Sequence, residues 1–187
     1  MNEIPVSMLT EAIITLLTEA YPGPPDHTAT WFIDNDPDSG ILGILRDVTA
    51  EEIERFRNEL PEVVYRRCRH VVTENARVVG AKAALEVGDL DAFGRLMRES
   101  HRSLRDDYEV SCAELDLLVK LACDAGGVYG ARMTGGGFGG CTVNLVRAGE
   151  VESFRQTVAL GYERATGRAP EIYVCSPAQG VGRVDGE

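Results

Sequence analysis

From Thr49 to Ala125 apolar residues recur every three or four positions, whereas after Val128 they alternate singly. The first pattern predicts helices and the second predicts strands. Thr49-Ala50-Glu51-Glu52 fits a capping box, with Glu52 three residues after Thr49, and opens a short helix to about Leu60. Pro61 suits the first turn of a second helix. That helix runs to about Val87, with Val64, Cys68, Val71, Val72, Val79, Ala83 and Leu85 at roughly helical spacing. Gly88 stops it, and Asp89 caps the next helix, from Leu90 to about Leu104. Ser111-Cys112-Ala113-Glu114 spells a second capping box, opening a helix to about Ala125 that Gly126-Gly127 ends. Val128 to Thr134 and Cys141 to Val146 read as strands, Val151 to Thr166 as a helix stopped by Gly167, and Glu171 to Cys175 as a third strand. Helices first, then strand, loop, strand, helix and strand, make an α+β domain with helices packed on a mostly antiparallel sheet. Upstream, residues 5–20 (PVSMLTEAIITLLTEA) read as an amphipathic helix, and the Pro- and Asp-rich stretch from Tyr21 reads as a linker. The division expected is a leader over residues 1–45 and one domain over 46–187.

The two central strands enclose an unusual loop. The stretch RMTGGGFGGC, from Arg132 to Cys141, holds five glycines. Each glycine in an ordered element costs roughly 0.5–1 kcal/mol relative to alanine, so such a cluster needs a compensating reason. Gly135, Gly137 and Gly140 satisfy GxGxxG, but the dinucleotide fingerprint requires a helix directly after the loop. CTVNLV follows instead and reads as a strand, which removes the helix N-terminus that would hold a pyrophosphate. A P-loop is excluded because no Lys-Ser or Lys-Thr follows the glycines. A wide hairpin explains one or two glycines. Five leave backbone N–H groups bare, in the manner of an anion-binding nest.

Composition narrows the function classes. A net charge of −11 over 187 residues argues against binding nucleic acid or an anionic membrane. Arg66, Arg67, Arg69 and His70 form the one basic cluster, most simply a solvated helix face. No run of eighteen apolar residues exists to span a bilayer. Five widely spaced cysteines with no CxxC pair fit reduced thiols in the cytoplasm. The three histidines are equally scattered, so no structural metal is expected.

GARMTGGGFGGCTVNLV resembles the third conserved motif of the GHMP small-molecule kinases in its galactokinase form. The resemblance extends through RHVVTENARVV from Arg69, LMRESHRSLRDDYEVSCAELDLL from Leu96 and YVCSPAQGVG from Tyr173, covering about residues 46–183. It implies a GHMP kinase C-terminal, ferredoxin-like domain, and transfer of a phosphoryl group from ATP to galactose with magnesium. Under it, Arg132, Met133, Thr134, Gly135, Gly136, Gly137, Phe138, Gly139 and Gly140 would support ATP phosphates, with no catalytic residue assigned. The family's sugar-binding and Ser-Ser-Ser phosphate-loop motifs do not occur in this chain. The resemblance therefore implies little or no activity for the chain alone, or complementation by a separate N-terminal half. The alternative is a non-enzymatic module for a nucleotide or sugar phosphate. Ser100, His101, Ser103, Arg105, Asp106 and Asp107 match a further family stretch. They read as a helix end satisfying its own charges, or as placing Arg105 or Asp106 at a cleft edge. His101 reads as a hydrogen-bonded structural residue, and Glu74 and Arg77 as a pair on one helical face.

Overall fold

The computed structural model describes residues 48–175; the leader, its predicted helix and the glycine-containing tail from Ser176 lie outside them. Four helices precede a β-hairpin and a fifth follows it. They are α1 (Ala50–Arg55), α2 (Glu62–Glu86), α3 (Leu90–Asp106), α4 (Ala113–Asp124) and α5 (Val151–Thr166), with β1 (Val128–Thr134) and β2 (Cys141–Val146) ahead of α5.

The capping box at α1 forms as predicted. The Thr49 hydroxyl accepts the Glu52 N–H at 3.2 Å, and the Glu52 carboxylate accepts the Thr49 N–H at 2.7 Å. Helix α1 ends at Arg55 rather than near Leu60, and turns carry the chain to Pro61, which stands at the N-cap of α2. Asp89 caps α3, accepting the Ala92 N–H at 2.8 Å. Gly167 ends α5 in the left-handed conformation, with φ 72°. The second predicted capping box does not form: Cys112 is the N-cap of α4 and makes no side-chain cap. The Ser111 hydroxyl donates instead to Asp116 Oδ1 at 2.6 Å.

The apolar positions of α2 divide along its length. Val64, Cys68 and Val72 pack with Val48, Ile53 and Tyr65 into one cluster under α1. Beyond Val72 the predicted face loses its cover. Val79 is 70% exposed and Leu85 52%.

The strands pair antiparallel in a two-stranded sheet, with Thr134 opposite Cys141 at the loop end. Ala131 packs with Val119 and Ala122 of α4 and with Phe154 and Val158 of α5. Its neighbour Gly130 points the other way, onto α3, as side-chain alternation along a strand requires. There the backbones meet: a methyl group on Gly94 would overlap the Tyr129 carbonyl, and one on Gly130 would overlap Gly94. The predicted third strand is absent. Residues 171–175 form no ladder, and only Ile172 packs against the sheet's core, while Tyr173 and Val174 stay exposed. Alternation alone marked that segment as a strand, but a ladder also needs backbone partners, and among the described residues this segment pairs with neither β1 nor β2. The fold is α+β, helices around a small antiparallel sheet.

Candidate functional site: the glycine loop

Strand β2 starts at Cys141, directly after the glycines, so no helix follows the loop. Four of the five glycines adopt positive φ: Gly135 (83°), Gly137 (85°), Gly139 (138°) and Gly140 (99°). Gly136 does not. A methyl group added at Gly135, Gly136, Gly139 or Gly140 would meet open space, whereas at Gly137 it would overlap the Val110 carbonyl. Conformation therefore accounts for Gly135, Gly139 and Gly140, and close packing for Gly137 as well. Neither accounts for Gly136, which is exposed and where a side chain would meet open space among the described residues.

Among the described residues one loop amide is consumed: the Phe138 N–H donates to the Val110 carbonyl at 2.7 Å. The N–H groups of Gly135, Gly136, Gly137, Gly139 and Gly140 find no backbone or side-chain acceptor there. Thr134, Gly135, Gly136 and Gly140 are exposed. Phe138 has φ 59° and stands 76% exposed at the loop.

The other two predicted site residues turn inward. Met133 is fully buried. Arg132, the one cation in the stretch, places Nη1 3.2 Å from Glu74 Oε1, and its Nε donates to the Met133 carbonyl at 3.0 Å. Glu74 is a hub, accepting from the Ser100 hydroxyl at 2.5 Å and from Arg77 Nε at 2.7 Å. Burial pushes the Glu74 carboxyl up, but the Ser100 hydroxyl and the two guanidiniums outweigh it and hold it below the usual range. The predicted Glu74–Arg77 pair thus extends into a brace that ties α2 to β1 just ahead of the glycines.

Two buried histidines sit on neighbouring elements in opposite tautomers. His101 Nδ1 accepts the Met133 N–H at 3.3 Å, so the ring proton is on Nε2, which faces Asp116 Oδ1 at 3.3 Å. The Ser103 hydroxyl donates to Asp107 Oδ2 at 3.0 Å, which leaves its oxygen to accept from His70 Nδ1 at 3.0 Å. Desolvation pushes both imidazoles below their ordinary pKa. Asp116 opposes this at His101, as do Glu74 and Asp107 at His70.

The predicted solvated face at Arg66, Arg67 and Arg69 is largely occupied. Arg66 and Arg67 grip Glu109 at 2.5 and 2.6 Å, and Arg69 pairs with Asp107. Arg105 pairs with its neighbour Asp106 at 2.7 Å, so this helix end does satisfy its own charges. Sequence reasoning missed Val110, which takes the Phe138 N–H and packs against Gly137. Val110 acts through its carbonyl, which no side-chain pattern reports.

Residues 81–163 match the family model "GHMP kinases C terminal". The chain carries a GHMP kinase C-terminal domain. Over 140 residues, 75% of its length, it is 54% identical to a galactokinase of Roseiflexus sp. (strain RS-1), of which it covers 36%. It is also similar to the crystal structure of Lactococcus lactis galactokinase complexed with galactose. The TM-score is 0.65 at 43% identity, over 67% of this chain and 32% of that one. The chain thus spans about a third of the length of these relatives. No helix among the described residues is long and apolar enough to cross a membrane.

Proposed function

We propose that this chain is the loop-bearing part of a galactokinase-type, ATP-dependent sugar kinase, and that residues 134–140 place backbone N–H groups against the phosphates of ATP. One observation carries the reading. Gly136 is required by neither conformation nor packing, yet it lies among amides that have no acceptor. A phosphate oxygen, or a neighbouring loop holding one, fits an opening of this kind.

Phosphoryl transfer depends on positioning and on neutralising charge at the transferred group, and magnesium would supply much of that neutralisation when bound. The residues near the loop fit only part of this task. Arg132 is committed to Glu74 and Met133 is buried. Among the described residues no group of three His, Cys, Asp or Glu side chains is placed to hold a metal. The chain's contribution is then a set of neutral donors, and the groups that hold magnesium, orient the sugar hydroxyl and take its proton belong to an N-terminal kinase half. The exposed Phe138 ring at the loop favours such a neighbour, since it is an apolar surface set beside the free amides.

The experiment is a coupled assay of ADP formation with ATP, magnesium and galactose. The chain alone is expected to turn over negligibly, and addition of the N-terminal half of a galactokinase is expected to give galactose-dependent ADP. Turnover by the chain alone at kinase rates of roughly 1–100 s⁻¹ would overturn the division of labour. A mixture that stays silent, together with stabilisation of the chain by ATP, would favour a non-enzymatic nucleotide-binding module.

A further inference from the structure

Two non-glycine residues among those described have positive φ: Glu109 at 58° and Phe138 at 59°. They lie 29 positions apart in sequence and flank a single contact. Glu109 immediately precedes Val110, and the Val110 carbonyl accepts the Phe138 N–H at 2.7 Å. Residues held in such conformations persist only where their surroundings over-determine them, and they concentrate where geometry has to be set.

The surroundings here do over-determine the turn from Asp107 to Cys112. The Ser103 carbonyl accepts the N–H groups of Asp107 and Tyr108, both at 2.9 Å, and the Leu104 carbonyl accepts that of Val110 at 3.0 Å. Arg66 Nη1 reaches the Asp106 carbonyl at 3.0 Å, and Arg67 reaches that of Asp107. The same two guanidiniums hold the Glu109 carboxylate, and Arg69 holds that of Asp107. Three arginines of α2 therefore fix a six-residue turn.

That turn and the elements it joins grip the glycine loop at three points. At the entry, His101 Nδ1 of α3 accepts the Met133 N–H, and the ring's Nε2 lies 3.3 Å from Asp116 Oδ1 of α4, the oxygen to which the Ser111 hydroxyl of the turn donates. In the middle, Gly137 packs so closely on the Val110 carbonyl that no side chain fits. One residue on, Phe138 is hydrogen-bonded to that same carbonyl.

We infer that the Asp107–Cys112 turn is a positioning bracket for the glycine loop, with His101 and Glu109 as its positioning residues. It acts by fixing residues 133 and 137–138, so that the amides of Gly135 and Gly136 present one preformed surface to an anion. The anion in question rests on the proposed function; the bracket itself does not.

The test uses the full 187-residue chain labelled with ¹⁵N and sodium triphosphate as the probe. Amide exchange and chemical shifts are read for residues 133–140 and, as an internal control, for α2 and α5. H101L removes the acceptor of the Met133 N–H, and H101N restores an acceptor close to the same place. Loss of one such bond is expected to speed exchange at Met133 and Phe138 by about fivefold. Triphosphate affinity should weaken by a similar factor, with α2 and α5 unchanged and H101N close to wild type. H101L behaving as wild type at residues 133–140 would overturn the bracket. Should H101L fail to fold, E109A carries the test, because it reaches the loop only through the turn. It is expected to speed exchange at Phe138 and not at Met133, and unchanged exchange at Phe138 overturns the proposal. If triphosphate leaves the wild-type loop unperturbed while H101L still alters its exchange, the phosphate reading fails and the bracket stands.

Discussion

At the scale of single residues, the five loop glycines separate by the reason each is glycine. Alanine at Gly137 would strain the backbone and overlap the Val110 carbonyl. G137A is therefore expected to destabilise the fold by at least about 2 kcal/mol, measured by urea denaturation. Alanine at Gly136 meets open space at ordinary φ, so G136A should leave stability within about 0.5 kcal/mol. The same G136A chain should lose triphosphate-induced shifts at the loop, because its new methyl group occupies the opening. Equal stability losses in the two variants would mean that the opening is packing and not a site. The histidines give a second residue-scale prediction. His70 and His101 are neutral in the fold, with pKa values below the ordinary one near 6.5. The unfolded chain takes up their protons first as pH falls. Stability from these two sites is thus fully present above about pH 6.5 and declines below it, by at most about 1.4 kcal/mol per pH unit for each histidine. The decline levels off once pH passes the lowered folded values. Denaturation midpoints at pH 7.5 and 5.5 check this: H101N should flatten the fall between them, and an unaltered slope would show that His101 is not the titrating group.

At the scale of elements, most of the framework was legible because its signals are local. The Thr49–Glu52 box, the Asp89 cap, the Gly167 stop and the bounds of both central strands each depend on residues a few positions apart. The misses share a different cause. Ser111 had the right spacing for a cap, but α4 starts one residue later than that spacing needs, with Cys112 as its N-cap, and the Ser111 hydroxyl donates to Asp116 in the first turn of the helix. Val79 and Leu85 carry a helical repeat, but a repeat does not encode whether another element lies over it, and here both stay exposed. The loop itself was legible as composition; its support from His101 and Val110 was not, since those contacts join residues 32 and 28 positions apart. The crossing of α3 and β1 was equally hidden, although Gly94 and Gly130 stand in plain view. Gly94 lies mid-helix without positive φ, where glycine only weakens a helix. Its reason is the Tyr129 carbonyl directly against it. G94A is therefore expected to reverse the usual preference for alanine and cost about 2–4 kcal/mol, because helix and strand have to move apart. A variant as stable as wild type would show that the α3–β1 crossing relaxes freely.

At the scale of the whole molecule, the question is how much affinity a loop of neutral donors can supply. The chain carries 19 basic and 30 acidic side chains, for a net charge of −11, so its overall field repels a polyphosphate. Near the loop Arg132 is spent on Glu74, which leaves backbone amides as the attraction. A few such bonds to a flexible, hydrated anion support a dissociation constant on the order of 1 mM, or about −4 kcal/mol. At about 10 mM sodium triphosphate the wild-type chain should then gain roughly 1.4 kcal/mol of stability by linkage, a small rise in its thermal midpoint. ATP at the same concentration should do no better, because an adenosine recognised elsewhere in a kinase adds nothing to a site made only of loop amides. Comparing the two ligands reads the division of labour directly. Equal, small shifts place base and sugar recognition outside these residues. A gain with ATP several kcal/mol beyond that with triphosphate would put a nucleoside pocket within this chain, and the N-terminal half would then no longer be needed to explain nucleotide binding.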